Sequence, residues 1–142
     1  MDHLKHLEHL TQILTEPIVN AKVLHHLLDI CADAYWIWHI PTGYDYLSDG
    51  WQRLLGYGPD ELPHHYDTWK NLLSEADYKI AKDNVEGHLS SRDKVPYDCK
   101  FKMRRKDGSF ITVRATGAVI EWLGDDPIIM AGKLTRVKDG AK

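Results

Sequence analysis

Val95-Pro96-Tyr97-Asp98-Cys99-Lys100-Phe101-Lys102-Met103 alternates without a break. Apolar Tyr97, Cys99, Phe101 and Met103 take the odd positions, while charged Asp98, Lys100, Lys102 and then Arg104 take the even ones. Neighbouring side chains of a strand leave opposite faces, so this stretch predicts a strand with one buried and one wet face. A slip of one residue would expose Phe101 and bury Lys100, so the register is strongly specified.

Downstream, Lys106-Asp107-Gly108-Ser109 predicts a hairpin turn, with Gly108 supplying a positive φ. The chain returns as Phe110 to Ile120, where Ile111, Val113 and Ala115 alternate with Thr112, Arg114 and Thr116. Asp125-Asp126-Pro127 predicts the next turn, and residues 128–137 a last strand.

Upstream, Ser74 reads as the N-cap of the longest helix of the region, 74–91, with Asp77 placed as in a capping box. Shorter helices are predicted after Ser48 and Asp49, ended by Gly56, at Pro59 to Leu62, and over 67–73 with Trp69, Leu72 and Leu73 apolar. Ala34 to Ile40 is aromatic and β-branched and is followed by Pro41-Thr42-Gly43, a strand and a turn; Tyr44 to Leu47 returns. Before these lie two helices, 3–14 and about 16–30, the second started by Thr15 and Pro17 and carrying Ile18, Val23, Leu24, Leu27 and Leu28. Helices, two strands, more helices and three hairpin strands predict an α+β fold: an antiparallel sheet with helices on one face.

The chain has 142 residues, enough for one core. Its net charge of −3 gives no basic bias toward nucleic acid. No apolar run approaches the roughly 20 residues of a membrane span, and the N-terminus lacks the pattern of a signal peptide. Cys31 and Cys99 have no Cys-x-x-Cys partner and read as thiols of a reducing cytoplasm, a long-range bridge being the other reading.

Little points to catalysis. The chain has no Gly-x-Ser-x-Gly, phosphate-loop or His-Glu-x-x-His motif, and no catalytic residue is predicted. Nine histidines invite a metal, but His3, His6 and His9 spread around a helix, and His25-His26 and His64-His65 are neighbours that point apart. No metal site is predicted.

Three blocks together carry a resemblance: Trp36-x-Trp38-His-Ile-Pro-Thr-Gly43, then 47–62 (LSDGWQRLLGYGPDEL), then 97–110 (YDCKFKMRRKDGSF). Over about residues 32–138 the sequence resembles the PAS fold with its C-terminal PAC motif. That resemblance implies a five-stranded antiparallel sheet with short helices on one face around a cavity. It implies a non-catalytic sensory domain of a bacterial signal-transduction protein, such as a histidine kinase or diguanylate cyclase, acting on a downstream domain or partner protein. The chain would then divide into an N-terminal helical extension (1–30), the PAS domain (31–138) and a tail (139–142).

The sequence departs from the family where His39 stands in place of an acidic residue, where the usual Trp-Val of the fourth strand is missing near Ile111 to Val113, and where Arg136-Val137-Lys138 replaces a terminal Asp-x-Thr. The flavin cysteine motif of photosensing relatives is absent. Haem-binding relatives carry their histidine near the position of Ile80; His88 reads instead as a solvated or helix C-terminal histidine. Neither flavin nor haem is expected.

Trp36, Trp38, Trp51, Trp69, Tyr97, Phe101, Met103 and Val113 are the candidates to line a small-molecule pocket, and the same residues could equally fill it as core. Leu4, Leu7, Leu10, Leu14 and Ile18 form a heptad-like stripe suited to a parallel homodimer; the competing arrangement folds that helix back on its own domain. A pure dimerisation module with a filled core, and a small-molecule carrier or enzyme on a similar fold, are the rival functions.

Overall fold

Residues 22, 26–28 and 34–138 are described in a computed structural model. The dimer candidates Leu4, Leu7, Leu10, Leu14 and Ile18, together with Cys31, lie outside the described residues. The chain divides into two compact units, Met1–Cys31 and Ala32–Lys142, and the second carries the sheet.

Its elements run β1 (Tyr35–His39), β2 (Asp45–Leu47), α1 (Asp49–Leu54), α2 (Tyr66–Asn71), α3 (Glu75–Ser90), β3 (Tyr97–Arg104), β4 (Phe110–Leu123) and β5 (Asp126–Arg136). The five strands form one antiparallel sheet in the order β2-β1-β5-β4-β3. The first strand is therefore interior and the last strand central, joining the early hairpin to the late one.

Strand β3 follows the alternation of its sequence. Tyr97, Cys99, Phe101 and Met103 are buried, and Asp98, Lys100, Lys102 and Arg104 are exposed. Opposite them on β4, Val113 pairs with Phe101 and Ile111 with Met103, extending one apolar face across the hairpin. Gly108 has φ +89° in the turn, and the Asp107 carboxylate accepts from the Ser109 backbone N–H at 2.9 Å.

The next turn lies further upstream than its sequence suggests. Gly124 takes φ +63° and turns the chain with Asp125, while Pro127 is already in β5 opposite Trp122. Near the start of a strand a missing N–H costs little, so the proline follows the turn instead of making it.

Side-chain caps start the helices. Ser48 is fully buried; its Oγ accepts from Trp51 N at 3.2 Å and from Tyr35 N at 3.0 Å, so one hydroxyl caps α1 and ties it to β1. Gly56, at φ +86°, ends that segment. Residues 59–62 form turns and not the short helix expected there. Helix α2 starts at Tyr66, one residue earlier than expected, because the His65 ring accepts from Asp67 N. Ser74 caps α3 by accepting from Asp77 N at 3.1 Å, while the Asp77 carboxylate reaches across to the backbone N–H of Lys102 on β3, 3.2 Å away.

His88 sits in the last turn of α3, as its sequence position suggests, but it is buried and not solvated. Its Nδ1 meets the Val95 carbonyl at 2.7 Å, and Nε2 stands 2.9 Å from an Asp93 carboxylate oxygen, outside hydrogen-bonding direction. The ring ties the end of α3 to the approach to β3.

One detail of the sheet shapes what lies above it. Gly117 and Gly132 face each other across β4 and β5, and Gly132 also faces Trp36 on β1. A Cβ on Gly132 would stand 2.6 Å from the Trp36 indole, and one on Gly117 would stand 2.9 Å from it. The two glycines are the floor on which that indole lies.

Candidate functional site

Above this floor the sheet and helices leave a pocket lined by Trp36 and Trp38 of β1, Asp45 of β2, Trp51 of α1, Tyr66 and Trp69 of α2, Val85 of α3, Tyr97 of β3, Ala115 of β4, and Met130 and Leu134 of β5. It holds about 430 Å³ of empty space with its open mouth included. That figure bounds the occupant to a small molecule.

The walls are mostly aromatic rings braced by one another. Trp38 stacks on Tyr66 with centroids 5.1 Å apart and planes at 27°. Tyr66 leans on Trp69 at 5.3 Å, Trp69 meets Tyr78 edge-on at 5.6 Å, and Trp36 meets Tyr97 edge-on at 6.0 Å. Offset and edge-to-face pairs are the favoured arrangements, each worth about 1 kcal/mol beyond burial. The hydroxyls of Tyr66 and Tyr78 share a 2.8 Å hydrogen bond. Burial, followed by that bond, holds the Tyr66 phenol above its ordinary range; burial does the same for Tyr97.

Trp36, Trp38, Trp51, Trp69 and Tyr97, singled out in the sequence, are thus brought together. Phe101, Met103 and Val113 do not line this pocket; all three are buried in the core, Phe101 standing edge-on to Trp69 at 5.9 Å. Cys99 carries a free buried thiol, raised in pKa by burial, and it too is not a lining residue.

The residue that sequence reasoning missed is Asp45. Its carboxyl is buried, and that burial raises its pKa from 3.8 to about 7. One of its oxygens, Oδ1, is buried without a hydrogen-bond partner. Asp45 pairs in register with Trp38, whose indole Nε1–H is likewise buried and unpartnered. Directly paired residues hold their Cβ atoms about 5 Å apart on one face, so the residues that carry an unsatisfied acceptor and an unsatisfied donor are neighbours in the pocket wall. Among the described residues, no lysine, arginine or histidine lines it.

Gln52, fully buried nearby, is satisfied: its Nε2 donates to the Leu47 carbonyl at 3.2 Å and its Oε1 accepts from Leu62 N at 2.9 Å. Burying a polar group without a partner costs roughly 1–3 kcal/mol. Two of the five such side-chain atoms among the described residues, Trp38 Nε1 and Asp45 Oδ1, belong to residues that line this one pocket. Among the described residues, no cluster of histidine, cysteine, aspartate and glutamate could hold a metal ion, and no helix is long and apolar enough to cross a membrane.

Solved structures with this architecture include domains of signalling proteins. A sensory box histidine kinase/response regulator from Burkholderia thailandensis E264 is 26% identical at a TM-score of 0.67, the match covering 80% of this chain and 84% of that one. The N-terminal domain of a diguanylate cyclase with PAS/PAC sensor from Marinobacter aquaeolei is 13% identical at a TM-score of 0.63, over 72% and 93% of the two chains. A light-oxygen-voltage domain studied with a flavin analogue is 17% identical at 0.63, over 89% of each. The last two likenesses are of fold alone. A search of curated protein sequences gave no match. The family model described as PAS fold matches residues 44–132, from the turn before β2 through the middle of β5. With the five-stranded sheet, its strand order and the pocket between sheet and helices already in view, that match makes the chain a member of the PAS fold family and a sensory domain of the bacterial signalling type.

Proposed function

We propose that this domain senses a small molecule held among Trp36, Trp38, Asp45, Trp51, Trp69 and Tyr97, without catalysing a reaction on it. The observation that carries this reading is the pair of buried, unpartnered polar atoms, Asp45 Oδ1 and Trp38 Nε1, in a pocket walled mainly by aromatic and aliphatic side chains. A ligand that satisfies both recovers their desolvation cost and thereby favours the conformation that holds it. Phe101, Met103 and Val113 would support the rings from behind. No flavin or haem is part of this reading; the light-oxygen-voltage likeness is one of fold, and the sequence carries no flavin cysteine motif.

Native mass spectrometry of the intact protein tests it. The expected result is a retained compound of low mass that is lost on denaturation, or one acquired from a metabolite mixture and accompanied by a rise in the unfolding midpoint. A protein that retains nothing and responds to nothing in the mixture would instead be an interaction module with a filled core, a reading favoured by the close ring stacking of Trp38, Tyr66 and Trp69.

The output would pass through residues 1–30, where the stripe of Leu4, Leu7, Leu10, Leu14 and Ile18 suits a parallel pairing of two copies. A downstream domain or partner protein in the cytoplasm would read that pairing. Sedimentation of the intact chain and of one starting near Thr15 checks this, with a dimer expected for the first and a monomer for the second. Two monomers at tens of micromolar would remove the N-terminal helix from the mechanism.

A further inference from the structure

Six aromatic residues share the pocket wall with a single carboxyl group: Trp36, Trp38, Trp51, Tyr66, Trp69 and Tyr97 with Asp45. The faces of such rings carry negative charge density and attract cations. An ionised carboxylate among them has no counter-charge, since no basic side chain among the described residues lines the pocket and Asp45 Oδ1 has no protein donor. A neutral apolar ligand would leave that deficit in place. A cation removes it and gains the ring faces as well. The Nε1–H of neighbouring Trp38 asks for something different, an acceptor.

Resting on the proposal that the pocket holds a ligand at all, we infer that the ligand is a small organic ammonium that also carries an acceptor oxygen. Its N–H groups donate to the Asp45 carboxylate among the aromatic faces. Its oxygen, a few bonds away, accepts from Trp38 Nε1. The size of the pocket, with the paired positions of Asp45 and Trp38, suits a short chain with one group at each end.

The test uses the intact chain labelled with ¹⁵N and three probes of similar size: 3-methoxypropylammonium, butylammonium, which lacks the oxygen, and 1-methoxybutane, which lacks the charge. Expected is a saturable shift of an indole N–H signal with 3-methoxypropylammonium and at least tenfold weaker binding of 1-methoxybutane. Asp45→Asn, close to the same shape, should weaken the ammonium roughly tenfold to a hundredfold, as expected for a buried charge-assisted hydrogen bond. Trp38→Phe keeps a ring and removes the donor. It should weaken 3-methoxypropylammonium severalfold and leave butylammonium nearly unchanged, a split that a general loosening of the pocket would not give.

Equal binding of 1-methoxybutane, or unchanged ammonium binding by Asp45→Asn, overturns the ammonium assignment and leaves the pocket as a site for another class. No saturable response to any probe also overturns it; if native mass spectrometry nevertheless finds a retained compound, the sensory reading stands, and if it finds none, both fall.

Discussion

At pH 8 the ligand-free Asp45→Asn protein is expected to be more stable than the parent, by up to about 4 kcal/mol. The Asp45 carboxyl titrates near 7 in the fold against an unfolded reference of 3.8, because burial disfavours its charge. Between these values the folded state keeps a proton that the unfolded chain has released. The parent's stability therefore has its full contribution from this group below about pH 4, loses it as pH rises toward 7, and stays low above. Tyr66 of α2 and Tyr97 of β3, the other titratable lining groups, have raised pKa values and stay neutral over that range. Asparagine carries no charge at any of these pH values, so the two proteins should nearly coincide at pH 4 and separate progressively to pH 8. Urea denaturation across that range measures the difference directly. Parallel curves would mean that the carboxylate has a partner or water that stabilises its charge.

Gly132→Ala should be among the most damaging single-methyl changes in the domain. The added Cβ would fall 2.0 Å from the Thr116 carbonyl oxygen and 2.6 Å from the Trp36 indole. The first neighbour is backbone in the middle of the sheet, held by the β4–β5 ladder, and cannot swing aside. The second is braced edge-on against Tyr97. Relief requires the sheet to part or the indole to enter the pocket. The expected loss is about 3 kcal/mol, together with loss of any ligand response. Gly87→Ala is the matching control. A Cβ there meets nothing within 4 Å on α3, and replacing a helical glycine gains about 0.5–1 kcal/mol. Similar unfolding midpoints for the two variants would show that Trp36 does not rest on the glycines as described.

These two sites also mark where the sequence could be read and where it could not. The face of β3 is legible because strand alternation is local: Tyr97 through Met103 declare their sides without knowledge of any neighbour. The pocket tryptophans stand out by chemistry alone. The glycine floor does not, since Gly117 and Gly132 acquire meaning only when β4, β5 and β1 are in register. Asp45 is an intermediate case. Between Tyr44 and Tyr46 it resembles a wet strand position, yet Leu47, two residues on, must face the core, and the same alternation places Asp45 beside it. A signal was present, but three residues of strand are too few for it to outweigh the expectation that a carboxylate faces water. The turn before β5 was misplaced for a similar reason: Asp125-Asp126-Pro127 has turn composition, but Gly124 supplied the backbone angle.

The Asp77 carboxylate that reaches strand β3 bears on how the molecule behaves in a crowded solution. β3 is an outer strand of the sheet, and outer strands recruit further strands from other chains unless their free amides are occupied. Here two of them already are: Lys102 N donates to Asp77, and Arg104 N donates to the Leu72 carbonyl at 2.8 Å, just beyond α2. The cap of one helix and the end of another thus close that border against strand addition, and the lysines and arginine alternating along it discourage stacking of the wet face. Fibril growth from this side of the sheet would first have to pull the start of α3 away from β3.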